Sequence, residues 1–288
     1  MAGIIDIAFN GMLNATPILL ASLGEMMVER AGRVNLGVEG LMAAGAAVSV
    51  YVGVKTGSPL AGVVAASLMG ALLSLVYVFM VLLVGADQIV VGLTLVFMGI
   101  GVSELIGSMT GGAPGPRIPA IANQVNPLMV LAILITVLYW FILSQTWIGV
   151  ELKALGESDK LAADRGLRVL KLRSTTLLLA GILAGIAGAY MSLSLHYGRW
   201  YSGITAGWGW IAIGVVILGY WHPIGVALAS YLVGVLFASR TLLASLGLHP
   251  AIADAMPYVL VIVILGVVVK LSERLGISPP SLVWRRNY

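Results

Sequence analysis

The 288-residue sequence contains no cysteine, only three histidines and few charged residues. The absence of cysteine excludes disulfides, thiolate metal sites and a cysteine nucleophile, and with three histidines a structural zinc site is not expected. Charged residues make up 10% of the chain and hydrophobic residues 60%, whereas soluble domains average about 25% charged and roughly 45–50% apolar residues. The composition is therefore that of an integral membrane protein.

Sequence motifs for catalysis and nucleotide binding are also missing. There is no H-E-x-x-H, no G-x-S-x-G and no P-loop G-x-x-x-x-G-K. The three histidines, His196, His222 and His249, each flank an apolar run and are not all expected on one side of the membrane. We therefore expect no catalytic residue, no metal site and no cofactor in this chain, so that ATP hydrolysis would need another chain.

Nine apolar runs can be marked along the chain. They cover approximately residues 8–28, 34–54, 58–84, 88–109, 126–144, 174–195, 204–220, 223–243 and 251–270. Lipid offers the backbone no hydrogen-bond partner, and the runs lack the alternation of barrel strands, so helices of about 20 residues are expected. The predicted fold class is all-α, a polytopic membrane bundle of about eight or nine transmembrane helices in a single permease domain, 1–288.

The distribution of Lys and Arg predicts the orientation, because short cytoplasmic loops retain basic residues. If residues 145–173 lie inside and the chain alternates through nine spans, twelve basic residues fall inside and four outside. This predicts a multi-pass protein of the cell membrane with its C-terminus inside and its N-terminus outside. The same preference accounts for the net charge of +4, so no nucleic-acid partner is expected.

The predicted spans divide into two similar sets. Four spans (8–109) precede a connecting span (126–144) and four follow it (174–270), so the sets start on opposite sides of the membrane, as in transporters with inverted-topology repeats. The second span of each set opens with a polar, glycine-rich cluster, NLGVEG at 35–40 and TAGWGW at 205–210. If the halves are related, these clusters lie at opposite faces of the membrane. Alternatively, the glycines only allow close helix packing.

One long polar segment, 151–173, interrupts the apolar pattern and contains ten of the 28 charged residues. Within it, Ser158 or Asp159 can cap a short helix of about seven to nine residues that stops at Gly166. Such a helix could dock in a groove of a soluble subunit, and the alternative is an ordinary solvated loop. Three basic residues at the end of the segment are interpreted as positive-inside anchors of the next span: Arg168, Lys171 and Arg173.

The same segment carries the sequence ALGESDKLAADRG at 154–166, and three further stretches, 15–46, 111–119 and 202–225, are distinctive. Taken in their order along the chain, these four stretches resemble the permease subunits of ATP-binding-cassette (ABC) importers of the simple-sugar, nucleoside and branched-chain amino acid group. The resemblance covers about 10–275. It is strongest to the shorter permease of nucleoside-type systems.

This resemblance implies a transport subunit, not an enzyme, that forms the translocation pathway for a nucleoside or simple sugar, with a branched-chain amino acid as an alternative. It also implies three partners: cytoplasmic ABC ATPase subunits that bind ATP and Mg, a second permease subunit in a heterodimer, and an extracytoplasmic substrate-binding protein. Small and apolar side chains of the loop are expected to face the ATPase. The coupling residues implied are Ala154, Leu155, Gly156, Glu157, Ser158, Leu161, Ala162, Ala163 and Gly166.

Polar and aromatic residues of the two glycine-rich clusters are candidates for lining the pathway. They are Asn35, Glu39, Thr205, Trp208 and Trp210. A charged residue inside a membrane is costly and is therefore a functional candidate, although Glu39 is alternatively a buried carboxylate paired with a nearby arginine, Arg30 or Arg33, or with a backbone amide. The tryptophans replace a basic residue and a Phe or Tyr that are more common in the family. They could stack on a sugar or base, or serve as packing or interfacial anchors.

Two other functions are compatible with the sequence. A secondary transporter driven by H⁺ or Na⁺ would use Glu39, Glu104 or Asp87, and an intramembrane enzyme would use His222 or Glu104. The polar groups are scattered over both faces of the predicted bundle, which disfavours the enzyme. Ion-driven transport is the main alternative to an ABC permease.

Overall fold

The computed structural model describes residues 4–121, 125–245 and 247–275. The basic pair Arg285 and Arg286, which entered the prediction of orientation, lies outside the described residues. Twelve α-helices occur in the described chain, and π-helical turns at 78–83 and 191–195 extend two of them. The helices are α1 Ile4–Arg30, α2 Val38–Thr56, α3 Pro59–Tyr77, α4 Gln88–Ser108, α5 Pro127–Gln145, α6 Trp147–Glu157, α7 Asp159–Asp164, α8 Val169–Tyr190, α9 Trp208–Leu218, α10 Pro223–Ala238, α11 Arg240–Ser245 and α12 Pro250–Leu275.

Several helices begin where the sequence supplies a side-chain cap. Asp87 accepts hydrogen bonds from the amides of Ile89 and Val90 at the start of α4. Asn126 caps α5 in the same way and is followed by Pro127, which has no amide hydrogen to leave unpaired. These caps satisfy backbone N–H groups that have no partner within the helix, so the helix starts are encoded locally.

Eight helices are long and apolar enough to cross a membrane, which confirms the predicted all-α membrane fold. The ninth predicted run, 204–220, does not form a helix of that length. It contains only α9, whose 11 residues extend about 16 Å. The preceding residues 196–207 are non-helical and include Gly203 and Gly207 in the left-handed region, with φ of 73° and 86°.

The segment 196–221 nevertheless runs from one end of the bundle to the other. We call the end formed by residues 146–168 and the neighbouring helix termini the charged end, and the opposite end, formed by the loop 110–121, the proline end. Near the start of the segment, the Gly198 carbonyl accepts a hydrogen bond from the Gly115 amide at the proline end. At its other limit, the Trp221 carbonyl accepts one from Arg30 at the charged end. We therefore call the segment 196–221, which contains the ninth run, the broken crossing, because only α9 within it is helical.

Helices α1, α2 and α8 form the centre of the bundle, and glycines where α8 crosses α2 and α3 allow close contact. A Cβ atom on Gly70 of α3 would lie 2.0 Å from the backbone carbonyl oxygen of Gly181 on α8. A Cβ atom on Gly188 of α8 would lie at the same distance from the carbonyl oxygen of Met42 on α2. Small residues at such crossings bring helix backbones together and increase dispersion contacts.

The two halves exchange equivalent contacts. Helix α1 packs along α10 of the second half, and α8, the first span of the second half, packs along α3 of the first. Both pairs are antiparallel, because Gly11 approaches Val235 while Arg30 bonds to Trp221, and Gly62 approaches Leu193 while Ser74 approaches Gly181. Exchanged contacts of this kind are what two inverted-topology halves would make.

Replacing Gly70 with leucine should destabilise the bundle, because the added side chain meets the α8 backbone, which cannot rotate away. Overpacking of this kind costs about 1–3 kcal/mol. The measurement is thermal unfolding of the detergent-solubilised protein. The matched control is Gly101→Leu on α4, where a Cβ atom has no neighbour within 4 Å. Equal melting temperatures for the two variants would contradict the proposed packing.

Candidate functional site

The polar segment between α5 and α8 contains two short helices. Ser158 has an extended backbone, with φ −162° and ψ 128°, and separates α6 from α7. The predicted helix start near Ser158 or Asp159 and the stop at Gly166, whose φ is 72°, agree with the structure. The helix itself is shorter than predicted, with six residues. Helix α6 occupies residues that were expected to form loop.

The coupling residues range from fully buried to exposed. Leu155 and Ala162 are fully buried and Gly156 is also buried, because α6 and α7 turn these positions toward the bundle. The expectation that Leu155 and Ala162 are presented to a partner is therefore wrong. Ala154 and Ser158 are partly buried, and the side chain of Leu161 lies outside the described residues. The exposed coupling residues are Glu157, Ala163 and Gly166.

A buried arginine ties α7 to the end of α1. Arg173 is 3% exposed, and its Nε donates a hydrogen bond of 3.0 Å to the carbonyl oxygen of Ala31. Its two terminal nitrogens donate to the two carboxylate oxygens of Asp159, one at 3.1 Å. Arg33 approaches the same carboxylate to 3.9 Å. Arg173, which the sequence predicted as a positive-inside anchor, thus also has a structural role, because its planar guanidinium matches a carboxylate in a bidentate pair.

The end of α1 is in turn bonded to the end of the broken crossing. Arg30 Nε donates to the Trp221 carbonyl at 2.7 Å, and the Trp221 indole donates to the buried carboxylate of Glu29. Trp221 and its neighbour Tyr220 both have φ of 51°, a backbone conformation that is costly for residues with a side chain. Sequence analysis missed Glu29. The signal was an acidic pair, Glu25 and Glu29, one helical turn apart in an apolar run.

Glu39, in the first turn of α2, lies beside the start of α9, inside the bundle. It is 5% exposed, and its Oε1 accepts hydrogen bonds from Thr205 Oγ1 at 2.6 Å and the Gly207 amide at 2.9 Å. Its Oε2 accepts one from the Gly209 amide at 2.7 Å. The first turn of a helix carries unpaired N–H groups and a partial positive charge, and a carboxylate satisfies both. Of the alternatives weighed for Glu39, the structure shows the buried carboxylate paired with backbone amides.

The two glycine-rich clusters meet in the interior. Gly209 is packed so closely that an added Cβ atom would lie 2.5 Å from the Cα atom of Glu39. The prediction that related clusters lie at opposite faces of the membrane is therefore wrong. The reason is that each cluster belongs to a non-helical segment, 31–37 or 196–207, that enters the bundle from its own end before its helix begins.

The remaining pathway candidates occupy different environments. Asn35 is fully buried; its side-chain oxygen accepts from the Gly37 backbone amide, and its own backbone amide donates to Glu25 at 2.7 Å. Trp208 is 6% exposed and packs on Phe237, with ring centroids 4.6 Å apart. Trp210 is 39% exposed. Asn35, Glu39 and Thr205 are thus parts of buried hydrogen-bond networks, and Trp208 is a packing residue within this chain.

A polar cavity of about 580 Å³ opens at the proline end. Its lining includes Asn10 and Asn14 of α1, Ser194 after α8, and Arg117 of the proline-rich loop. The Arg117 guanidinium lies over the ring of Tyr197, 4.8 Å from its centroid. Amide, hydroxyl and guanidinium groups together suit a hydroxyl-rich solute. Sequence analysis did not single out this cavity, because its residues come from four separate parts of the chain.

No group of three or more His, Asp or Glu residues that could hold a metal ion occurs among the described residues.

Replacing Glu39 with glutamine should weaken the start of α9. The amide nitrogen of glutamine is a donor and cannot accept the hydrogen bonds that a carboxylate oxygen of Glu39 accepts. Loss of a hydrogen bond to a charged group costs about 1.5–3 kcal/mol. Thermal unfolding in detergent measures the effect. The control is Glu104→Gln, since partly exposed Glu104 accepts a single described hydrogen bond, from Ser202. A Glu39 variant as stable as this control would contradict the role of Glu39.

The pairing of Asp159 with Arg173 should make stability depend on pH. The hydrogen-bonded guanidinium lowers the pKa of Asp159. Because the folded-state pKa lies below the unfolded value of about 3.9, the pair stabilises the protein above that pH, and the stabilisation is lost as the pH falls through the lowered pKa. Unfolding midpoints of the native protein and Asp159→Asn should therefore differ at neutral pH and converge in acid. Asp164→Asn, on the same helix and also exposed but with no described ion pair to an arginine, should show no such trend.

Comparison with known proteins agrees with this architecture. A family model described as the permease component of branched-chain amino acid transport systems matches residues 7–265. TsgC13 of Haloferax volcanii, a permease protein assigned to a glucose ABC transporter, is 31% identical over 94% of this chain and 95% of its own length. The nucleoside ABC transporter permease NupC of Lactococcus lactis is 30% identical, and the match covers 90% of this chain and 91% of NupC.

A solved structure shares the fold. It is an ABC transporter assigned to the metal-chelate type, in an inward-facing conformation, and it aligns with a TM-score of 0.54 and 15% sequence identity. The alignment covers 93% of this chain and 85% of that structure's chain. With the family model spanning most of the sequence, these matches show that the chain belongs to the family of ABC transporter permeases described as branched-chain amino acid transport system permease components.

Proposed function

We propose that this permease forms, as one transmembrane domain and together with a second permease subunit, the pathway of an ABC importer for a small polar solute. The observation that carries the proposal is the series of hydrogen bonds that joins Asp159 through Arg173 to Ala31. We call this series the bonded path. It joins the one long charged segment to the helix at the centre of the bundle. A free-standing carrier would have no use for such a connection to an external surface.

The path continues into the interior. A displacement of α7 is transmitted to α1 by the Arg173 bonds, and from α1 to the end of α9 by the Arg30 and Glu29 bonds to Trp221. The other end of α9 is fixed to α2 by Glu39. Helix α9 is therefore bonded at both of its ends to the first half of the chain. A force at the charged end would reach the broken crossing without passing through lipid-facing helices.

The exposed part of the segment is the surface we assign to the ATPase. Glu157, Ala163 and Gly166 are exposed there, together with the charged residues Asp164 and Arg165. The small side chains permit close approach, while the buried Leu155 and Ala162 hold the two helices against the bundle. ATP and Mg bind to the ATPase subunits, and this chain holds no cofactor of its own.

The charged end faces the cytoplasm in this proposal. Arg30, Arg33 and Arg173 lie at that end with the ATPase surface, as the retention of basic residues on the cytoplasmic side requires. The N-terminus then lies outside and the C-terminus inside. The proline end faces outward, where an extracytoplasmic binding protein would deliver the solute to the cavity of about 580 Å³.

The proposed solute is a nucleoside or a simple sugar. Relatives that match over most of their length carry the names of nucleoside and glucose permeases, and the outward cavity offers amide and hydroxyl groups together with the guanidinium groups of Arg117 and Arg240. A branched-chain amino acid is the alternative suggested by the family description. A heterodimer with a longer permease is the favoured assembly.

Ion-driven transport has less support. A carboxylate that carries a proton or sodium ion must be able to release its protein partners, yet both oxygens of Glu39 accept hydrogen bonds from Thr205 and two backbone amides. Glu39 is better explained as a structural acceptor at the start of α9.

The docking surface can be separated from the transmission path by two variants. Ala163→Arg enlarges an exposed side chain of α7 and should abolish copurification with the ATPase. Asp159→Asn leaves that surface in place and should keep ATPase binding while solute uptake falls severalfold. Ala113→Arg, an equally exposed change in the loop at the proline end, is the control and should keep ATPase binding. Unchanged copurification and uptake for Ala163→Arg would overturn the assigned surface.

A further inference from the structure

A second cavity lies at the charged end, between α5, α6 and α8. Its volume is about 420 Å³. Most of its walls are apolar, including Met27, Tyr139, Ile142, Leu152, Leu172 and Leu179. The cavity belongs neither to the bonded path through Arg173 nor to the outward cavity near Arg117, so neither role explains it.

The cavity spans the boundary between the headgroup layer and the hydrocarbon. Arg168 precedes the first turn of α8, at the charged end, and Leu179 lies 11 residues further along the same helix. At 1.5 Å per residue this separation is about 16 Å, roughly the depth of one leaflet of a 30 Å hydrocarbon core. One end of the cavity therefore lies among lipid headgroups and the other among acyl chains.

The charges of the cavity are confined to the headgroup end. Arg168 and Lys171 line it there, and both are exposed; the acidic residue Glu151 lines it too and is partly buried. Two positively charged side chains and one carboxylate give this rim of the cavity a net positive charge, and the walls beyond the rim are apolar. A free phosphate or a polar solute would gain nothing from those walls, whereas a molecule with an anionic head and a hydrocarbon tail complements both parts.

We propose that this cavity binds an anionic phospholipid of the cytoplasmic leaflet. The phosphate lies beside Arg168 and Lys171, and one acyl chain packs between Ile142 and Leu179. Leu152 and Glu151 of α6 form one wall, so the lipid supports the helix that leads into the ATPase surface. In a membrane poor in anionic lipid, the cavity beside α6 would remain unfilled.

Lipid retention tests the proposal directly. The full chain, purified in detergent with its copurifying subunits, is incubated with equal amounts of phosphatidylglycerol and phosphatidylcholine of identical acyl chains, and bound lipids are counted by native mass spectrometry. Phosphatidylglycerol should be retained preferentially. The double variant Arg168→Gln/Lys171→Gln should lower its retention roughly tenfold. The control Lys153→Gln/Lys160→Gln removes two positive charges from exposed positions outside the cavity and should retain it normally.

A cavity-filling variant tests the position of the acyl chain. Leu179→Trp occupies the apolar end and should lower retention of phosphatidylglycerol while the rim charges remain. Melting temperatures of all variants identify any that are unfolded; if the double variant is unfolded, the single variants Arg168→Gln and Lys171→Gln replace it, and each should lower retention by a smaller factor. The charge-conserving variant Arg168→Lys/Lys171→Arg should retain the lipid. Equal retention of the two lipids by the native protein, retention of neither, or a double variant indistinguishable from its control would overturn the proposal.

Discussion

Backbone inside a lipid bilayer must find its hydrogen-bond partners within the protein, because lipid supplies none. Two non-helical segments, 31–37 and 196–207, enter this bundle and create that requirement. Glu39 supplies the acceptors for the start of α9, and Glu25 and Tyr77 bond to backbone groups of the first segment. The breaks in the helices and the buried carboxylates therefore depend on each other: each would be costly alone, and together most of their polar groups are paired, with Glu25 Oε2 and the side-chain nitrogen of Asn35 as exceptions.

Buried side chains that need hydrogen-bond partners also connect the surface to the interior. Arg173 is buried and could not remain so without a carboxylate and a carbonyl to accept its hydrogen bonds. Those acceptors belong to α7 and to the residue after α1, so satisfying one guanidinium also links an external segment to the central helix. Trp221 links α1 to α9 in a similar way, with its indole and carbonyl both paired. A coupling path thus follows from the need to satisfy a few buried groups.

Much of the fold could be predicted because its signals are local. Hydropathy located the eight long helices, Asn126–Pro127 marked the start of α5, and Gly166 marked the end of α7. The prediction failed where a residue's environment depended on distant segments. Leu155 and Ala162 carry no sequence signal that distinguishes a partner's surface from their own bundle, and the burial of Arg173 depends on Ala31, 142 residues away.

The sequence by itself determined that the chain is a helical membrane protein, where most of its helices lie, and which family of permeases it resembles, since composition, caps and motifs are properties of short stretches. Only the tertiary structure decided that the two glycine-rich clusters meet at Glu39, that the ninth crossing is broken, and that Arg173 belongs to the coupling segment. These facts depend on which segments approach each other across the bundle. That approach is set by the close contact of helices such as α3 and α8 and by the pairing of buried polar groups, which join residues far apart in the chain.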